Sequence, residues 1–236
     1  MKIYIFVTVM LFGFTSFTPN HTKIVKPKSY SMSSKSASLK EVESKYNSLD
    51  ANNLNLPNLE SFSKALEGYY LLKEKGILEN DYLTIVDFSL SSKVKRMWVI
   101  DMDENKIIFN SLVAHGKNSG NDFANNFSNK NESNKSSLGL FLTGELYSGK
   151  HGLSLKLDGL EKGVNDNARQ RAIVMHGADY VSQNFIKAHN RLGKSQGCPA
   201  IPIELSKKII QTIKDKSCLY IYHPSKNTLE SSKLVS

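Results

Sequence analysis

Three short segments of this 236-residue sequence hold side chains whose types and spacing suggest chemistry. Val174-Met175-His176-Gly177-Ala178-Asp179 is an apolar run that delivers a histidine to its polar end. Ser195-Gln196-Gly197-Cys198-Pro199 sets a cysteine in a Gly/Ser/Pro turn, and Val113-Ala114-His115-Gly116-Lys117 is a second strand-like run ending in His-Gly. Cysteine catalysis needs a thiolate, and a free thiol with a pKa of about 8.5 supplies little of it at neutral pH. A histidine within hydrogen-bonding reach lowers that pKa or takes the proton as attack proceeds, and an imidazole pKa of about 6.5 suits it to either task. Gly197 lets the backbone come close to a substrate, so N–H groups around Cys198 are candidates to hold an oxyanion. Pro199 reads as a helix start, whose dipole would further favour a thiolate. On spacing alone the argument is weak, because a Cys and a His 22 residues apart are most often a structural accident.

Two other uses of the same residues compete with catalysis. His115, His151, His176 and Cys198 are all potential zinc ligands, but none falls in a His-x-x-x-His or Cys-x-x-Cys spacing, so no metal site is expected. The two cysteines, Cys198 and Cys218, could instead form a disulfide in a non-catalytic wall-binding module. Against that pairing, Cys218 lies in the apolar run Cys218-Leu219-Tyr220-Ile221-Tyr222, where a buried cysteine behaves as a small hydrophobe.

Taken in order, the segments resemble the L,D-transpeptidase (YkuD-like) catalytic domain, in the branch with a Gly-Cys-Pro turn. The family pattern of a strand ending His-Gly, a spacer and then Ser-His-Gly-Cys is matched by Met175-His176-Gly177 and Ser195-Gln196-Gly197-Cys198. Ser136-Ser137-Leu138-Gly139-Leu140-Phe141, Val113-Ala114-His115-Gly116 and the stretch Tyr147 to Leu160 extend the likeness over roughly residues 80–224. The resemblance implies a β-rich catalytic domain acting on peptidoglycan stem peptides without a cofactor. Cys198 would attack the amide after the third residue of a tetrapeptide stem, with His176 as base and the Gly177 carbonyl orienting its ring. Backbone N–H groups at Gly197 and Cys198 would form the oxyanion hole, and Ser195 would shape the turn. An amine would resolve the thioester to a cross-link, or water would do so in an L,D-carboxypeptidase.

The chain departs from that pattern twice. Gln196 stands where the family turn has a second His, and it can donate to a substrate carbonyl but cannot shuttle a proton. The basic residue expected just after the Cys is missing, because Pro199-Ala200-Ile201-Pro202 follows. A substrate carboxylate then needs another partner, and Arg171, Arg191 and Arg169 are candidates. Tyr180, His115 and His151 are further candidates to line the cleft.

The elements that must position these residues read as mainly β, a mixed sheet or sandwich with a small N-terminal helical cap. Residues 39–79 carry helical periodicity, with Leu59, Phe62, Leu66, Tyr69 and Tyr70 on one face. Strands are expected at 82–88, 96–101, 106–113, 138–143, 153–157, 172–175 and 218–222, with a helix at 203–214. The Asn/Ser-rich stretch 117–137 is expected to be a mobile flap over the cleft. Met1-Lys2 followed by the apolar run Ile3 to Phe14 describes a signal peptide over 1–20, too short to span a membrane. Residues 21–38 read as a flexible leader and 225–236 as a flexible tail. These features point to an exported monomer of the periplasm or cell envelope with no stable membrane insertion. The formal charge of +9 is scattered without a basic stripe or stacking aromatics, which argues against nucleic acid as a partner.

Overall fold

The computed structural model describes residue 1, residues 39–225 and residue 234. The expected signal peptide and leader lie outside the described residues apart from Met1. All other described residues fall in one unit, Ser36–Ser236. Helix α1 (Leu39–Asn47) leads to α2 (Leu59–Glu74). The side chain of Asn58 caps α2 by accepting the Glu60 N–H, the usual way to satisfy a first-turn donor. The stripe α2 buries is Phe62, Ala65, Leu66, Tyr69 and Leu72. Leu59 and Tyr70, assigned to that face from the sequence, are instead about 40% exposed, because the true i, i+3, i+4, i+7 stripe runs between them. Each fully buried large apolar side chain in it contributes about 1.5–3 kcal/mol.

Eight strands follow: β1 (Tyr82–Asp87), β2 (Met97–Asp101), β3 (Lys106–Ser111), β4 (Gly139–Gly149), β5 (Gly152–Gly159), β6 (Val174–Ala178), β7 (Ala200–Pro202) and β8 (Cys218–Tyr222). Helix α3 (Gln183–His189) lies between β6 and β7, and α4 (Ile203–Ile213) between β7 and β8. They form one mixed sheet in the order β3-β2-β1-β8-β4-β5-β6-β7, parallel at β1–β8 and β6–β7. Strict alternation sends Leu83, Ile85, Leu140, Cys218 and Tyr220 into the core under α1 and α2. The intervening Val86, Phe141, Leu219 and Ile221 join Met175 and the α4 residues Ile209, Ile210 and Ile213 in the second core. Leu234, beyond the described end of β8, bridges Glu161 and packs on the first core, so this part of the expected tail is anchored.

The sheet curls until its two edges nearly meet. The segment after β3 bridges β7: Ala114 N–H donates to Ala200 O at 2.8 Å and Ala200 N–H to Ala114 O at 3.4 Å. Arg96, 0% exposed, braces this closing segment. Its guanidinium donates to Val113 O (3.1 and 2.9 Å), to Leu90 O (2.7 Å) and to His115 Nδ1 (2.9 Å), and lies 4.9 Å from the Phe88 ring. Accepting from Arg96 requires an unprotonated Nδ1, so His115 is neutral here. Burial, with the Arg96 charge beside it, lowers the His115 pKa to about 4.

Folding therefore excludes a proton that unfolded His115 would bind below about pH 6.5. Its contribution to stability is fully present above that pH and is lost as pH falls toward 4. Between pH 7.5 and pH 5 this one group is expected to remove about 2 kcal/mol, measured from urea midpoints. His115→Asn, which keeps an acceptor for Arg96, should flatten the difference by a similar amount. An unchanged slope in that variant would assign the acid sensitivity to other groups.

Candidate active site

His176 stands on β6 opposite Ser154 of β5 and Ala200 of β7. Alternation turns Met175 into the core and His176 to the other face. Gly177 has no side chain because α4 crosses it: a Cβ there would meet Ser206 Oγ at 2.8 Å and Ile203 Cα at 3.3 Å. The Gly177 carbonyl accepts from His176 Nδ1 at 2.9 Å, which leaves the Nε2 lone pair free. Burial lowers the His176 pKa below its ordinary value, the Gly177 carbonyl opposes this, and the charges of His151 and Lys150 add to it. The His151 ring stacks on His176 with centroids 4.2 Å apart and planes at 19°. His151 and Lys150 are the two residues at the tip of the β4–β5 hairpin, beyond the final Gly149–Gly152 pair.

Cys198 lies two residues before Ala200, the sheet partner of His176, in a turn held by Ser195. Ser195 N–H donates to His115 O (3.0 Å), and Ser195 O accepts from Lys117 N–H (2.8 Å). Ser195 Oγ accepts the Gly197 N–H (3.0 Å) and donates to Cys198 O (2.6 Å). Gly197 has φ +127, and a Cβ would meet Lys135 O at 2.8 Å, so only glycine fits this turn. The thiol is half-buried and donates to Ala172 O at 3.8 Å. Burial pushes its pKa up, against the opposing effects of the Val174 N–H, Arg171 and Lys150. Ala172 itself sits at φ +53, an unusual conformation for a residue with a Cβ.

Both groups open on a cleft of about 800 Å³, whose lining also includes Gln196, Tyr180 and Arg171. Several sequence-based assignments change here. His115 is outside the lining and 1% exposed, because Arg96 holds it within the closing segment. Arg191 is also outside, with Nη1 on Leu192 O. Arg169 is paired with Asp158 and Glu145. The Arg171 guanidinium is spent on Ser128 O, Lys135 O and the hydroxyls of Ser133 and Ser137. Those bonds, with Asn118 on Ser133 O and Ser136 N–H on Ser119 Oγ, make stretch 117–137 a cross-tied wall of the cleft and not a loose flap. The Gly197 N–H, expected in an oxyanion hole, is occupied by Ser195. Pro199 starts no helix, because β7 intervenes and α4 begins only at Ile203, too far for its dipole to act on the thiol.

Lys150, Lys117 and Lys194 also line the cleft and were not anticipated. They carry no signal in the chain beyond being lysines, and only the tertiary fold brings them to one mouth. Both cysteines are free. Cys218 lies on β8, four strand spacings of about 4.8 Å from β7, well past the roughly 7 Å Cα limit for a disulfide. The disulfide-linked wall module is therefore excluded. Among the described residues no cluster of three or more His, Cys, Asp or Glu could hold a metal, and no helix is long and apolar enough to cross a membrane.

One curled mixed sheet thus brings a buried histidine and a turn-borne cysteine to the same cleft. The family model of the L,D-transpeptidase catalytic domain matches residues 53–222, and the chain belongs to that family, which is tied to peptidoglycan and the cell wall. Among curated proteins nothing matches significantly. Solved structures similar to this chain include the helical cell shape determining protein Pgp2 from Campylobacter jejuni, with 16% identity and a TM-score of 0.41 over 71% of this chain. The match spans 58% of the Pgp2 chain. Another is the L,D-transpeptidase from Xylanimonas cellulosilytica, with 10% identity, 61% of each chain covered and a TM-score of 0.33.

In native protein iodoacetamide should label Cys198 alone, and two thiols should react after denaturation. Its rate should keep climbing with pH beyond the ordinary thiol range, because burial resists the thiolate. A labelling rate already at its plateau at pH 7 would mean a preformed thiolate. Ser195→Ala strands the Gly197 N–H and is expected to cost about 1–3 kcal/mol in a urea melt.

Proposed function

We propose that the protein is an exported, monomeric L,D-transpeptidase acting on peptidoglycan tetrapeptide stems, with Cys198 as nucleophile and His176 as base. The observation that carries this reading is one cleft lined by the Cys198 thiol and a neutral imidazole whose Nδ1–H is committed to Gly177 O. A neutral Nε2 can take the thiol proton as sulfur attacks, so no ion pair is needed beforehand. The S–C bond forms, and the carbonyl oxygen becomes an oxyanion facing the Cys198 backbone N–H. On collapse, the C–N bond to the terminal D-residue breaks and the imidazolium returns its proton to the departing amine. An acceptor amine, or water, then attacks the thioester and His176 takes and returns a proton again. Gln196, exposed at the cleft, is suited to donate an amide hydrogen bond to a substrate carbonyl.

Incubation of the full chain with a disaccharide-tetrapeptide is expected to give a tripeptide adduct by intact mass, with D-alanine released and no adduct in Cys198→Ala. His176→Asn should slow adduct formation by about 10²–10⁴-fold. The acid limb of the rate should lie below the ordinary imidazole value and move upward in His151→Ala, because one neighbour that disfavours the imidazolium is gone. No adduct under any condition would remove the acyl-transfer reading. Cross-linked against trimmed products report whether amine or water resolves the thioester.

A further inference from the structure

We infer that Lys150, at the tip of the β4–β5 hairpin, binds the free carboxylate of the residue expelled from the donor peptide and so makes that carboxylate a requirement for the substrate. The inference rests on the acyl-transfer reading and specifies its donor. The scissile nitrogen must face His176, which returns a proton to it. The carboxylate of the departing amino acid is only one carbon beyond that nitrogen, so its anchor must stand on the histidine side of the cleft. Lys150 is the cation placed there: its neighbour in the two-residue tip, His151, stacks on His176, and Lys150 lines the same cleft as Cys198.

The other cations near the site are committed or elsewhere. Arg171 is taken up by four hydrogen bonds to the 117–137 wall. Arg169 is neutralised by Asp158 and Glu145, and Lys194 reaches Gly120 O and Asn121 Oδ1. Lys117 lines the cleft next to the cysteine turn, with its backbone N–H on Ser195 O, and is on a different element from the hairpin tip that stacks on His176. Glu132, an acid in the lining, belongs to the 117–137 wall. Among the described residues Lys150 makes no ion pair, so its ammonium is available to a ligand. Its influence on both Cys198 and His176 agrees with a position beside the reacting atoms. An ammonium on a flexible stem is a point charge that tolerates a small carboxylate in several orientations.

The experiment uses the full chain and compares two donors, a disaccharide-tetrapeptide with a free terminal carboxylate and the same compound as its terminal primary amide. Tripeptide adduct formation by intact mass is followed for parent, Lys150→Met and Lys150→Arg. The parent is expected to favour the acid by roughly ten- to a hundred-fold in the second-order acylation constant, the size of a hydrogen bond to a charged group. Lys150→Met should erase that ratio, chiefly by weaker binding of the acid, and Lys150→Arg should retain part of it. The ratio is the informative quantity, because altered thiol or imidazole basicity affects both donors alike. Equal acylation of acid and amide by the parent, or an unchanged ratio in an active Lys150→Met, would overturn the inference while leaving the acyl-transfer reading intact. Absence of adduct with either donor in the parent would remove both.

Discussion

Ala200 is held from both sides, and the geometry of the site depends on that grip. On one side it pairs in parallel with His176, and on the other it exchanges backbone hydrogen bonds with Ala114. β7 is only three residues long, so neither contact alone would fix its register firmly. Together they lock it, and Cys198, two residues upstream, inherits the precision. The same closure brings His115 O and Lys117 N–H to Ser195, whose hydroxyl ties the remainder of the turn. Arg96 keeps the Ala114 segment in place by collecting Val113 O and His115 at one guanidinium. A one-residue slip of β7 would send the cysteine to the opposite face of the sheet.

Electrostatics at the site favour an uncharged resting state. Burial opposes both the thiolate at Cys198 and the imidazolium at His176. Two cations act on the sulfur, Arg171 from the loop side and Lys150 from the hairpin, and the Val174 N–H points to it. Arg171 thus does two jobs: its hydrogen bonds hold the 117–137 wall together, while its charge moderates the cost of generating negative sulfur.

The two cleft residues His176 and Cys198 could be singled out in the sequence because each sits in a local pattern, a hydrophobic strand ending in His-Gly and a Gly-Cys-Pro turn. Strands that are short continuous runs of β-branched and aromatic residues, such as Tyr82–Asp87 and Cys218–Tyr222, were legible from that composition, and both are buried along nearly their whole length. β7 was not, because three residues flanked by Pro199 and ending at Pro202 carry too little propensity to outweigh a helix-start reading. α3 was missed although Ser182 caps it, since its seven residues bury no side chain and so show no apolar stripe. His151 was named as a candidate to line the cleft, but its neighbour Lys150 was not, because nothing in two turn residues records which strand will lie beneath them. The arginines misled because sequence cannot tell a guanidinium offered to a ligand from one already consumed by carbonyls.

The storage of Cys198 as a thiol has a consequence for its chemical durability. Peroxide oxidation and thiol–disulfide exchange both proceed through the thiolate, and their rates follow the thiolate fraction and access. A half-buried sulfhydryl donating to Ala172 O, with Cys218 sealed in the core four strands away, presents little thiolate to either reagent. The burial that opposes the thiolate at Cys198 therefore also shields the sulfur from wasteful oxidation.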